Sequence, residues 1–402
     1  MKNDMKKYLA LATILMGATA LTSPANADET IGLLGGITGG AAALAPEIMK
    51  SYDFTIKEIN DQGGIRSGEK LIGAIYDDGC NPQIAADAAG KAVNISGAVA
   101  IIGPWCSGAV IAVANQVTIP AGITLVTPSG TSPVITELKD NGTVFRTMPS
   151  DEYQGQVLAR TMLERGVKTI AVSYINNDYG KGFAEAFKKE YEAKGGTIAG
   201  YAGHEENKPS YRSDIAELAK SGADTLLLID YGASSGLTVL REAIQNDFFK
   251  NYVGGEGMKA AALIETIGSE NLSNVLISSP VADESESLKY FSEAFKKAGG
   301  DPNAFSTTNA YDAIFMVALA IEKSGGDKTK IATALRAISN GTGETVHAGE
   351  WKKAKELIAG GKEINYKGAV GDLDFDKNGD VPGKYSLFKI GAKDFEVVQE
   401  MK

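Results

Sequence analysis

Cysteine and histidine are nearly absent from these 402 residues, with two of each: Cys80, Cys106, His204 and His347. So few histidines argue against a His-rich zinc site, and neither a metal nor a cofactor is expected. Runs of basic residues are missing too. The formal net charge is −10, and no cluster of Lys and Arg is long enough to offer nucleic acid a local field, so a nucleic-acid partner is not expected. Past residue 27 no apolar run approaches the roughly 20 residues that cross a bilayer. Repeats of solenoid length and low-complexity segments are also lacking.

What is present begins with an export leader. Lys2, Lys6 and Lys7 precede an apolar stretch over 8–21, and Ala25-Asn26-Ala27 forms an A-x-A cleavage site. Cleavage after Ala27, with no cysteine following to carry a lipid, is expected to release an exported soluble protein from Asp28. Residues 1–27 hold three Lys and one Asp, so the remaining 375 residues carry a formal charge of −12. That length exceeds what one core usually serves, and two domains are expected. In an exported chain one pair of cysteines reads as a disulfide, two free thiols being the alternative.

Strand and helix patterns alternate along the chain. A strand over 30–34 precedes a helix opened by Pro46, with Ile48, Tyr52, Ile56 and Ile59 on one stripe. Gly63-Gly64 ends it. Strand 71–76, helix 82–95 and strand 99–102 follow, which is βαβ repetition and hence a parallel sheet covered on both faces. After Arg146 the pattern restarts, with Asp151 read as the cap of a helix over 152–164. Strands at 169–174, 197–202 and 225–229 alternate with helices at 181–193, 213–220 and 235–246. Residues 275–279 read as the start of a return to the first unit. Helices at 286–298 and 308–323 and two tail strands, at 370–375 and 385–390, complete the chain. The fold class is α/β, with two doubly wound parallel-sheet lobes.

Two apolar strands, at 100–102 and 123–126, each end in a turn loaded with hydroxyls. Ser107, Ser129 and Thr131 would then lie at the carboxyl ends of neighbouring parallel strands, where ligands collect. With free amide N–H groups at a helix start they suit a small anion such as a carboxylate, ordinary helix capping being the plain alternative. Glu256, Tyr179 and Tyr231 follow strand ends in the second unit. A carboxylate with two phenols complements the first wall, so that the pair suits a zwitterion. Trp105 either lines the same cleft or is buried in the first unit.

Three further motifs compete. Gly35 to Gly40 has the offsets of neither a dinucleotide nor a phosphate loop. Asp374-x-Asp376-x-Asn378-Gly379 starts like a calcium loop, but its twelfth position is Tyr385, so Asn378-Gly379 is read as a hairpin turn. Gly232-Ala233-Ser234-Ser235-Gly236 matches a nucleophile elbow, which would make a secreted serine esterase with Ser234 as nucleophile and His347 as base.

Taken together the chain resembles the type I periplasmic binding proteins of the branched-chain amino-acid class, the leucine/isoleucine/valine-binding proteins. The resemblance spans nearly all of the chain after residue 27. It rests on Ile59-Asn60 with Gly63-Gly64-Ile65, and on the stretches 76–82, 102–107, 127–133, 178–182 and 254–257. It implies two lobes joined by three crossings that close on a ligand like a Venus flytrap. Lobe 1 would take residues 28–148 and 279–382, and lobe 2 residues 149–278 and 383–402. A Cys80–Cys106 disulfide is implied as well. A ligand carboxylate would be held by Ser107, Ser129, Gly130 and Thr131, partly through backbone N–H, and an ammonium by Tyr179, Glu256 and Tyr231. The resemblance further implies no catalysis, a monomer in the periplasm, and delivery of a small amino acid to the membrane permease of an ABC importer. Leu44 stands where relatives often place an aromatic, and Trp105 where a smaller residue is often seen. Both fall near the side-chain pocket, which opens the alternative of a receptor for aromatic or other carboxylates lacking an amine.

Overall fold

The computed structural model describes residues 28–402; the expected leader and cleavage after Ala27 lie outside them. β1 (Glu29–Gly35), β2 (Leu71–Asp77), β3 (Ala100–Ile102), β4 (Thr124–Thr127) and β5 (Val144–Arg146) form one sheet in the order β2-β1-β3-β4-β5. Every pairing in it is parallel. The inner strands β3, β4 and β5 are buried along their whole length, as helix cover on both faces requires. On one face lie the helix Ala45–Asp61 and the helix Thr307–Ser324, which is buried from Asn309 to Ile321 and so is apolar nearly all round. On the other, Pro82–Asn94 packs through five alanines, with the Asn81 side chain accepting from the Gln83 and Ile84 amides at its start.

The second sheet takes β6 (Thr169–Ile175), β7 (Thr197–His204), β8 (Thr225–Ile229), β9 (Asn251–Gly254) and β10 (Val275–Val281) in parallel. β10 therefore belongs wholly to this lobe, and the return to the first one begins after it. The helix Glu286–Lys297 is the first element back, burying Phe291 and Phe295 in the core of lobe 1.

A small third sheet, missed in the sequence, joins β11 (Glu344–His347), β12 (Ile364–Gly368) and β13 (Gly371–Asp372). β14 (Lys384–Ile390) and β15 (Phe395–Met401) then extend the second sheet antiparallel, in the order β15-β14-β10-β9-β8-β6-β7. The hairpin expected at Asn378-Gly379 is overturned by this pairing. β13 pairs with β12 and β14 with β10 and β15, so the turn is the third crossing between lobes. Asp376 Oδ1 accepts from the Asn378 and Asp380 amides instead, closing a local Asx-type turn. The architecture is two doubly wound lobes joined by three crossings.

Cys80 and Cys106 are bonded, with their Cα atoms 5.4 Å apart. The bond ties the turn after β2 to the residue before Ser107. Replacing both by serine is expected to lower stability by about 3 kcal/mol on the chain-entropy account, read as a shift in the urea midpoint at unchanged slope. Coincident midpoints would contradict it.

Candidate functional site

Ser107 opens the helix Ser107–Val113 directly after β3, and Ser129-Gly130-Thr131 follows β4. The two turns are stitched together. The Thr127 hydroxyl donates to the Pro104 carbonyl (2.7 Å) and accepts from the Gly130 amide (2.9 Å). Ser129 Oγ donates to the Trp105 carbonyl at 2.9 Å. Ser107 Oγ accepts from the amides of Thr131 (3.2 Å) and Ser132 (3.1 Å). The Gly130, Thr131 and Ser132 amides are thus held within the protein. Having accepted two N–H groups, the Ser107 hydroxyl is left to donate, and the cavity wall offers it together with the Thr131 hydroxyl. Gly130 lies behind this wall. A Cβ there would fall 2.9 Å from Val110 Cγ2, so the turn fits only without one.

Arg146, which the sequence did not single out, braces the same turn. Its buried guanidinium donates to the carbonyls of Thr131 (3.0 Å) and Ser132 (3.1 Å) and pairs at 2.6 Å with Asp380 on the third crossing. The available signal was an arginine ending a short apolar strand, where its charge needs a partner.

The opposite wall comes from lobe 2. Glu256 opens the short turn after β9, Tyr179 sits in the first turn of the helix Asp178–Ala193, and Tyr231 follows β8. The two tyrosine rings stack with centroids 5.3 Å apart, and the Tyr179 hydroxyl bonds Glu256. Asp151 does not cap its helix; Ser150 does, accepting from the Glu152 amide at 3.2 Å. Asp151 is instead fully buried beside Glu256, with Thr131 next to it. Among the described residues neither oxygen of Asp151, nor Oε2 of Glu256, has a hydrogen-bond partner. Burial above all raises both carboxyls, Glu256 to about 7 and Asp151 well above its usual range, with the Glu256 charge adding to the shift of Asp151. Burial and Glu256 likewise raise the Tyr179 phenol. Two adjacent buried carboxyls in this state favour a cation that would ionise both.

One cavity collects Trp105, Ser107, Ser129, Thr131, Tyr179, Tyr231 and Glu256, and Leu44 lines it as well. The lobes meet around it: a Cβ on Gly182 of lobe 2 would fall 2.7 Å from Pro133 Cδ of lobe 1. The esterase pair is not assembled. Ser234 donates to the Tyr231 carbonyl in lobe 2, whereas His347 lies on β11 of lobe 1 beside Ser287 Oγ at 3.2 Å.

Known proteins match this arrangement. The receptor family ligand binding region matches residues 47–392. A leucine-, isoleucine-, valine-, threonine- and alanine-binding protein of Pseudomonas aeruginosa is 33% identical over 341 residues, covering 83% of this chain and 90% of its own. A leucine-binding protein of Thermotoga maritima superposes with TM-score 0.78 at 22% identity, over 93% of this chain and 99% of that one. A solute-binding protein of R. palustris, solved with benzoate, gives TM-score 0.76 at 16% identity over 93% and 96%. With its two lobes, three crossings and inter-lobe cavity, the chain belongs to the receptor-family ligand-binding regions, among the type I periplasmic binding proteins of the leucine/isoleucine/valine class.

Proposed function

We propose that this chain is the periplasmic solute-binding protein of an ABC importer and carries a small amino acid between its lobes to a membrane permease. The reading takes it as a monomer released after Ala27. The observation that carries it is the buried Glu256, with an unpartnered Oε2 and with the buried Asp151 beside it, on the same cavity as Ser107 and Thr131. Ser107, Ser129 and Thr131, with Gly130 shaping their turn, would take the carboxylate. Glu256 and Asp151, flanked by Tyr179 and Tyr231, would take the ammonium. Charge-assisted bonds count for more in a dry cleft than in water. Only the closed state satisfies both ends of the zwitterion, so binding shifts the population towards it. A carboxylate lacking an amine would leave the two carboxyls unmatched. The amino acids named for the Pseudomonas aeruginosa relative support the same class.

Calorimetry at neutral pH against the twenty L-amino acids and benzoate tests this. At least one amino acid should give a clear isotherm, and heat from benzoate alone, or from nothing, overturns the reading. Closure has its own check. Gly182→Val places a side chain against Ser132 and Pro133 without touching the cavity. It should weaken binding at least tenfold, by about 1.4 kcal/mol, while the melting point of the free protein stays within a few degrees. Unchanged affinity would mean that the lobes do not need this contact.

A further inference from the structure

Resting on that reading, we propose that Trp105 limits the size of the ligand side chain, making this a receptor for amino acids of the alanine, serine, threonine and valine class rather than for leucine or aromatic ones. Trp105 is 3% exposed and lines the cavity beside Leu44, Ala41 and Phe305. Its indole is locked from three sides. Nε1 donates to the hydroxyl of the fully buried Tyr52 at 3.1 Å. One ring face lies on Gly35, where a Cβ would come within 2.2 Å of Cε2, so the strand is bare at the point where the indole rests. The main chain is held by Ser129 Oγ on the Trp105 carbonyl and by the disulfide at Cys106.

Swinging the indole aside would break its bond and strand the Tyr52 hydroxyl in the core. The wall therefore does not yield to a larger guest. With Trp105 fixed beside Leu44, Ala41 and Phe305, this wall sets the room left for a ligand side chain, and each surplus methylene in such a pocket is worth about 10- to 200-fold in discrimination.

Titrating alanine, threonine, valine, leucine and phenylalanine into the parent and into Trp105→Leu tests this. The parent should bind a small member at least tenfold more tightly than leucine or phenylalanine. Trp105→Leu should shift the ratio of leucine to alanine affinity at least tenfold towards leucine. Parent affinity for leucine equal to that for alanine, or the same ranking in the variant, overturns the inference. Should Trp105→Leu melt far below the parent, Trp105→Phe serves with the same expected direction. If the parent binds no amino acid at all, the function proposed above falls. If amino acids bind without an order of size, this inference alone falls.

Discussion

Replacing Glu256 by alanine is expected to remove measurable amino-acid binding. The carboxylate is 3% exposed, so the ligand ammonium would lose a desolvated partner that water cannot replace. Breaking one side of a buried ion pair costs about 3–5 kcal/mol, which corresponds to an increase in Kd of roughly two to four orders of magnitude. The free variant should melt no lower than the parent, because a buried carboxyl with an unpartnered oxygen is removed along with it. Calorimetry and a thermal melt on the same samples separate the two effects. An alanine variant that binds as tightly as the parent would remove Glu256 from the site.

Binding should also weaken as the medium is acidified below pH 7, by up to about tenfold per pH unit for one linked proton. In the free protein Glu256 is raised to about 7 and Asp151 well above its usual range, so around neutrality this pair retains a proton. An ammonium favours the ionised forms, and its binding therefore releases protons. The neighbours facing the pair are Tyr179, Tyr231 and Gln154 on Glu256, Thr131 and Arg146 on Asp151, and Tyr385 on both; Arg146, through its charge, lowers Asp151. Stability of the free protein runs the other way. A carboxyl raised from 4.5 to about 7 on folding contributes stability that is fully present below 4.5 and lost as the pH rises through about 7. Asp78, raised by burial to about 7, and Asp312, raised by burial to about 6, act in the same direction. The free protein should melt higher at pH 6 than at pH 8, while the increment in melting point added by ligand should be smaller at pH 6 than at pH 8. Calorimetry in two buffers of different ionisation heat counts the protons. A Kd flat between pH 5.5 and 8, or an undiminished slope in Glu256→Gln, would contradict the linkage.

Much of the site was legible because strand ends announce themselves locally. Ser107, Thr131 and Glu256 each follow a short apolar run stopped by Gly or Pro, and such runs end at one edge of a parallel sheet. Asp151 was misread for an equally physical reason. An acidic residue at a helix start is ordinary, and nothing nearby shows that Ser150 already serves as the cap. The Asn378-Gly379 turn misled in the same way: its local chemistry is that of a hairpin, but its flanking strands pair with different sheets. The long stretch holding β11, β12 and the helices Ile331–Ser339 and Trp351–Ala359 carries short elements with little periodicity, and it went unread.

Periodicity, stop residues and the placing of hydroxyls after strands are properties of neighbours in the chain, so the sequence by itself determined the two α/β units, the cysteine pair and the residues at the strand ends. Which amides are already satisfied, which carboxyls lie buried side by side, and how much room Trp105 leaves are set by contacts between residues remote in sequence. Those only the tertiary structure decided, because burial and hydrogen bonding act on distance in space.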